Sequence, residues 1–153
     1  MKKLMNIRKN SKKGFTLIEL IVVIVIIAIL VAALTPAILG VIQRANRAAD
    51  EADARTMMTV GSVAATGNTP PGTAGLAKKD FLDAFGIDEN TTTGLIAGTY
   101  IIKYNGAFAF AVELTGGRTT DTVTIGNYAG TETSVITVKI LPTGLIDTVA
   151  VTT

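Results

Sequence analysis

The 153-residue chain contains no cysteine and no histidine. Without cysteine there is no disulfide staple, no thiolate nucleophile and no zinc–thiolate site. Without histidine the commonest general base and the commonest metal ligand are missing. Serine occurs only as Ser11, Ser62 and Ser134, and none stands in a nucleophile-elbow context. No glycine-rich loop leads into a helix to cradle phosphate. An enzyme, a bound cofactor and a metal centre are therefore not expected. Charge is scarce too, at 17% of residues against 48% apolar, a balance too apolar for a disordered chain. The length suits one modest domain with appendages and is too short for a polytopic transporter.

Acidic residues are absent from the first fourteen positions, which hold Lys2, Lys3, Arg8, Lys9, Lys12 and Lys13. Beyond Gly14, eight basic residues face twelve acidic ones, a net of −4. Phosphate contacts need clustered Lys and Arg, so the body of the chain is not expected to bind nucleic acid. After Glu19 no charge appears until Arg44, and Leu20 to Ile42 form an uncharged, mainly apolar block of 23 residues. About 20 residues of helix span a bilayer. The basic cluster ahead of the block places the N-terminus on the cytoplasmic side. A secretory signal would carry its small cleavage residue after the apolar core; here Gly14 precedes it. A plain anchor also has no use for Glu19, because a carboxylate in hydrocarbon is costly.

The stretch "KKGFTLIELIVVIVIIAIL", from Lys12, resembles the class III leader of bacterial type IV pilins and pseudopilins. The resemblance is confined to the N-terminal segment. It implies a leader, residues 1–14, that a prepilin peptidase removes between Gly14 and Phe15, followed by N-methylation of Phe15. It implies that Glu19, fifth in the mature chain, faces the terminal amine of a neighbouring subunit and sets the stagger between them. Pro36 also fits the family, whose helices often carry a kinking proline there. Implied partners are copies of the same chain in a helical homopolymer, the peptidase/methylase, an assembly ATPase, an inner-membrane platform and the membrane before assembly. The fold implied is α+β. The implied location is the cytoplasmic membrane first and an extracellular pilus afterwards.

The residues extend this picture. Proline removes a backbone donor and crowds the preceding turn, and Gly40 weakens the helix further. A kink, or a stretch opened in the fibre, is expected between Leu34 and Gly40. Beyond the apolar block, Ala45, Ala48, Ala49, Ala52, Val60 and Val63 recur near helical spacing, predicting a stripe that packs on a sheet. Arg47 with Glu51, and Glu51 with Arg55, are predicted i,i+4 pairs. The helix is expected to end near Gly67, where "TGNTPPG" supplies breakers. Residues 15–66 would then run roughly 78 Å: a membrane or fibre-spine half (15–42) and a head-packing half (43–67).

Residues 68–153 read as a β-rich head. "KKDFLDAFGI" (78–87) predicts one short helix with Phe81, Leu82 and Phe85 on its apolar face. Strands are predicted at 99–104, 107–114, 121–127, 134–141 and 145–151, from period-2 alternation and turn residues. Asn105-Gly106 is a hairpin signal between the first two. In the second, Phe108, Phe110, Val112 and Leu114 are expected to share a face. Four or five antiparallel strands beside one long helix follow. With no disulfide available, closure falls to a C-terminal strand. Asp88 and Glu89 read as a solvated turn, and Asp121, Glu132 and Asp147 are too widely spaced to suggest calcium.

The function expected is that of a structural type IV pilus subunit serving adhesion, motility or aggregation. The alternative is a pseudopilin of a type II secretion or competence system.

Overall fold

The computed structural model describes residues 14–67, 77–105, 108–127, 132 and 134–152. The chain divides into two compact units, one ending at Gly40 and one beginning at Val41. Helix α1 (Leu17–Gly67) supplies the first unit and continues into the second. The second adds α2 (Lys78–Phe85) and strands β1 (Gly98–Asn105), β2 (Phe108–Thr115), β3 (Val123–Gly126), β4 (Ser134–Ile140) and β5 (Ile146–Thr152). All pairings are antiparallel, in the order β3-β2-β1-β4-β5. This is the expected α+β arrangement, with all five strands and the short helix at the expected places. The C-terminal strand closes one edge of the sheet.

In the first unit, every Val, Leu and Ile side chain from Leu17 to Leu39 is at least 45% exposed. An 18-residue window there reaches a mean hydropathy of 3.4 with none of it buried. By length and composition this helix can cross a membrane. It stays helical through Thr35, Pro36 and Gly40. Pro36 leaves the Ala32 carbonyl without its usual N–H, and beside it the Thr35 hydroxyl donates to the Val31 carbonyl at 2.7 Å. Such back-bonding tends to bend helices.

The second unit has its own core. From the sheet come Tyr100, Ile102, Tyr104, Val112, Leu114, Ile136, Val138 and Ile140; from α2 come Phe81 and Leu82; from α1 come Ala54, Met57, Val60, Ala64 and Ala65. The expected alanine stripe is thus out of phase. Val60 is buried and Ala49 half-buried, but Ala45, Ala48, Ala52 and Val63 face outward. The buried face is centred on Asp50, Ala54, Met57 and Gly61, because two polar features fix the helix rotation. At one end Asp50, fully buried, accepts four hydrogen bonds from the β2–β3 loop. The donors are Arg118 N–H (3.1 Å), Arg118 Nη1 (3.0 Å), Thr119 N–H (2.9 Å) and Thr119 Oγ1 (3.1 Å). Arg118 also pairs with Asp53 at 2.7 Å. A Cβ on Gly117 would lie 2.8 Å from Asp50 Oδ2, so the loop approaches this closely only with glycine. At the other end the Tyr104 hydroxyl donates to the Gly61 carbonyl at 2.8 Å, and Ala109 N–H donates to Ser62 Oγ at 3.3 Å.

A second correction concerns β2. Lys103 pairs with Ala111 but Tyr104 pairs with Ala109, so Phe110 is the extra residue of a β-bulge. Beyond a bulge the inward and outward positions exchange. Ala109 therefore joins Val112 and Leu114 in the core, and Phe108 is 70% exposed. The residues between Asn105 and Phe108 lie outside those described, and with them the glycine of the predicted Asn-Gly turn. Of the two predicted helix pairs, Arg47–Glu51 forms at 3.6 Å. Glu51 makes no ion pair with Arg55.

Candidate processing and assembly site

Gly14, Phe15 and Glu19 lie together at the start of α1. Pro36 lies on the same helix, 17 residues beyond Glu19 and roughly 25 Å along the axis. Gly14 and Phe15 precede the helix without regular structure. A Cβ on Gly14 would meet nothing within 4 Å, and Phe15 is 93% exposed. No described residue therefore covers the Gly14–Phe15 peptide bond.

The helix begins at Leu17, which makes Thr16 the N-cap and Glu19 the third helical residue. Thr16-Leu17-Ile18-Glu19 has the pattern of a capping box, and both halves are made. Glu19 N–H donates to Thr16 Oγ1 at 3.3 Å, and Thr16 N–H donates to Glu19 Oε2 at 2.8 Å. The Thr16 hydroxyl also donates to the same Oε2 at 2.8 Å. Sequence reading missed Thr16, although a Ser or Thr three residues before Glu or Gln, at the edge of an apolar run, is the signal for it.

This arrangement has chemical consequences. The carboxylate satisfies an N-terminal donor that the helix itself leaves unpaired and places negative charge where the helix dipole favours it. One oxygen, Oε2, is used in doing so. The other, Oε1, makes no hydrogen bond to any described residue. Phe15, Ile18, Glu19, Val22 and Val23 line an open, almost wholly apolar hollow.

The acidic residues weighed for calcium are not brought together. Glu132 lies 3.6 Å from Lys103, and Asp147 lies 3.3 Å from Lys139. Among the described residues no three Asp, Glu, His or Cys side chains gather as metal ligands. The Asp88–Glu89 turn is exposed, as expected. Asp88 accepts from Asn90 N–H at 3.0 Å and from the Thr91 hydroxyl at 2.7 Å. Those bonds hold its carboxyl below the usual range.

In comparison with known proteins, the family described as the prokaryotic N-terminal methylation motif matches residues 9–35. No curated protein and no solved structure gave a match.

Proposed function

Starting from a chain that carries the leader of the type IV pilin family, pilins and pseudopilins together, we propose that it is a structural subunit of a type IV pilus. A prepilin leader implies processing by a prepilin peptidase and a membrane-anchored N-terminal helix. On this reading the cut falls between Gly14 and Phe15 and the new Phe15 amine is methylated. The observation that carries the proposal is the uncovered apolar half of α1, in a chain whose second unit has a core of its own. A surface this apolar needs lipid or other helices around it. In the subunit it would lie in the membrane, and in the fibre against copies of itself.

Glu19 then acts twice. Before assembly its carboxylate is partly satisfied by Thr16, which eases its place at the membrane surface. After assembly its free oxygen receives the terminal amine of a neighbour. Cleavage creates that amine, with an ordinary pKa of about 7.7–8.0, so much of it is cationic near neutral pH. Pro36, Thr35 and Gly40 would let the helix open locally in the fibre. The motor ATPase, the platform protein and the peptidase act on this chain, which itself performs no catalysis.

Mass spectrometry of the native N-terminus, with electron microscopy of cell surfaces, tests the reading. A methylated Phe15 terminus and surface filaments containing the chain are expected. Filaments should be lost from a Glu19→Ala variant that still accumulates in the membrane. An intact leader, or correctly trimmed chains that form no filament, would overturn the proposal. Loss of protein secretion on deletion, without surface fibres, would assign the chain to the pseudopilins instead.

A further inference from the structure

Arg44, Arg47, Glu51 and Arg55 fall three, four and four residues apart, which sets them on one face of α1. The stripe is roughly 16 Å long and turned away from the sheet, with Arg44, Arg47 and Arg55 all exposed. Arg47 is partly neutralised by Glu51. The Arg44 and Arg55 side chains make no ion pair with any described residue, so the stripe keeps a net charge of +2.

The opposite charge sits elsewhere on the same unit. Asp88 and Glu89 are adjacent, exposed and free of any ion pair among the described residues. The bonds from Asn90 and Thr91 to Asp88 fix the shape of their turn. Among the other exposed charges of the described residues, Lys79 pairs with Asp83 and Lys139 with Asp147, and Asp121 makes no ion pair. Among its described residues the unit therefore carries an uncompensated positive strip and an acidic turn of two adjacent, unpaired carboxylates. No ion pair joins them within the chain.

From this complementarity we infer that the arginine stripe of one copy docks on the Asp88–Glu89 turn of the next. The contact rests on the polymer reading above and names the head-to-head interface within it. Because the two patches differ, the contact is heterologous. A repeated heterologous contact builds an open helical filament unless its rotation happens to close a ring. An isologous dimer cannot grow this way. Exposed ion pairs are individually weak. Their complementarity selects register and speeds encounter more than it adds affinity, and salt screens it, with a Debye length of about 10 Å at 0.1 M and 3 Å at 1 M.

The test uses the full-length chain in the membrane of an assembling cell. Arg44→Glu with Arg55→Glu, and separately Asp88→Lys with Glu89→Lys, should each lower filament yield about tenfold at low salt, as expected for repulsion at several weak contacts. A chain carrying all four substitutions should recover most of the loss, because the pairing is restored with its signs exchanged. The chain has no cysteine of its own, so Arg44→Cys in one tagged copy and Glu89→Cys in another should form a disulfide between copies. All the altered side chains are exposed, and unchanged circular dichroism confirms the fold. Filaments that form equally well from every charge variant would overturn this contact and leave the polymer reading standing. The same holds if the four-fold variant fails to recover, or if binding to phosphatidylglycerol vesicles falls with the arginine substitutions while assembly does not. An unsubstituted chain that forms no filaments, together with cysteine-bearing copies that form no cross-link, would overturn both.

Discussion

Asp50 on α1 accepts the backbone N–H of Thr119, 69 residues later, at 2.9 Å, with its carboxylate fully buried. A buried carboxylate survives only where its acceptors are used, and here Arg118 and Thr119 supply four donors. Asp50→Ala strands two backbone donors and removes one of the two carboxylates that hold the Arg118 guanidinium, leaving Asp53. Its expected cost is about 3 kcal/mol, at the low end for breaking a buried pair because Arg118 keeps some solvent. Arg118→Ala should cost less, since the loop amides still bond Asp50. Chemical denaturation of the two variants checks the order.

The same contact sets an acid limit. Burial alone would raise the Asp50 carboxyl, but the Arg118 and Thr119 donors outweigh it and hold the group below its usual range. A carboxyl lowered by folding stabilises the native state fully above its unfolded pKa, about 3.9. That contribution fades as pH falls through the lower, folded value. Stability from this source should stay flat from about pH 5 upward and decline below about pH 4. Asp50→Asn should shrink the decline without abolishing it, because Asp88 is lowered as well. On the alkaline side, burial raises the Tyr100 and Tyr104 phenols, so folding should weaken as pH climbs past about 10. Thermal melts across the pH range read both limbs.

At Gly61 the helix lies close against the sheet. A Cβ there would stand 2.8 Å from the Tyr104 hydroxyl oxygen and 3.2 Å from Ile102 Cδ1. Gly61→Ala should therefore destabilise by about 1–3 kcal/mol, as overpacking does, despite the better helix propensity of alanine. Tyr104→Phe loses the bond to the Gly61 carbonyl, at about 1 kcal/mol, but also removes the atom in the way. Combined with Gly61→Ala it should cost less than the two single changes added. A double-mutant cycle measures that coupling.

Much of this was legible in the sequence. The helix and all five strands follow from periodicity and breakers, and the N-terminal motif from its residue order. The phase of the helix was not. An alanine stripe looks like a packing face, but what turns α1 is Asp50 seeking donors on a loop 69 residues away, and no local pattern reveals such a partner. The face of Phe108 was hidden for a similar reason, since one bulged residue, Phe110, exchanges inside for outside without disturbing the alternation around it. Phe108→Ser should accordingly change stability by no more than about 0.5 kcal/mol. Phe81→Ala, in a fully buried side chain, should cost about 3–5 kcal/mol. Equal effects would show that β2 runs without its bulge.

Thr16 is the residue through which the proposed assembly chemistry is positioned. Its hydroxyl accepts from Glu19 N–H and donates to Glu19 Oε2, and its own N–H reaches the same oxygen. Thr16→Val keeps the shape and the N–H bond but deletes both hydroxyl contacts, leaving the carboxylate free to swing. Thr16→Ser keeps all three. If Glu19 receives a neighbour's amine through its remaining oxygen, Thr16→Val should slow filament growth several-fold while leaving processing at Gly14 and membrane accumulation unchanged. Thr16→Ser should restore the growth rate. A role confined to helix capping would instead appear as equal loss of helicity and of accumulated protein in Thr16→Val. Circular dichroism of the membrane-inserted chain, read beside the growth rate, separates the two.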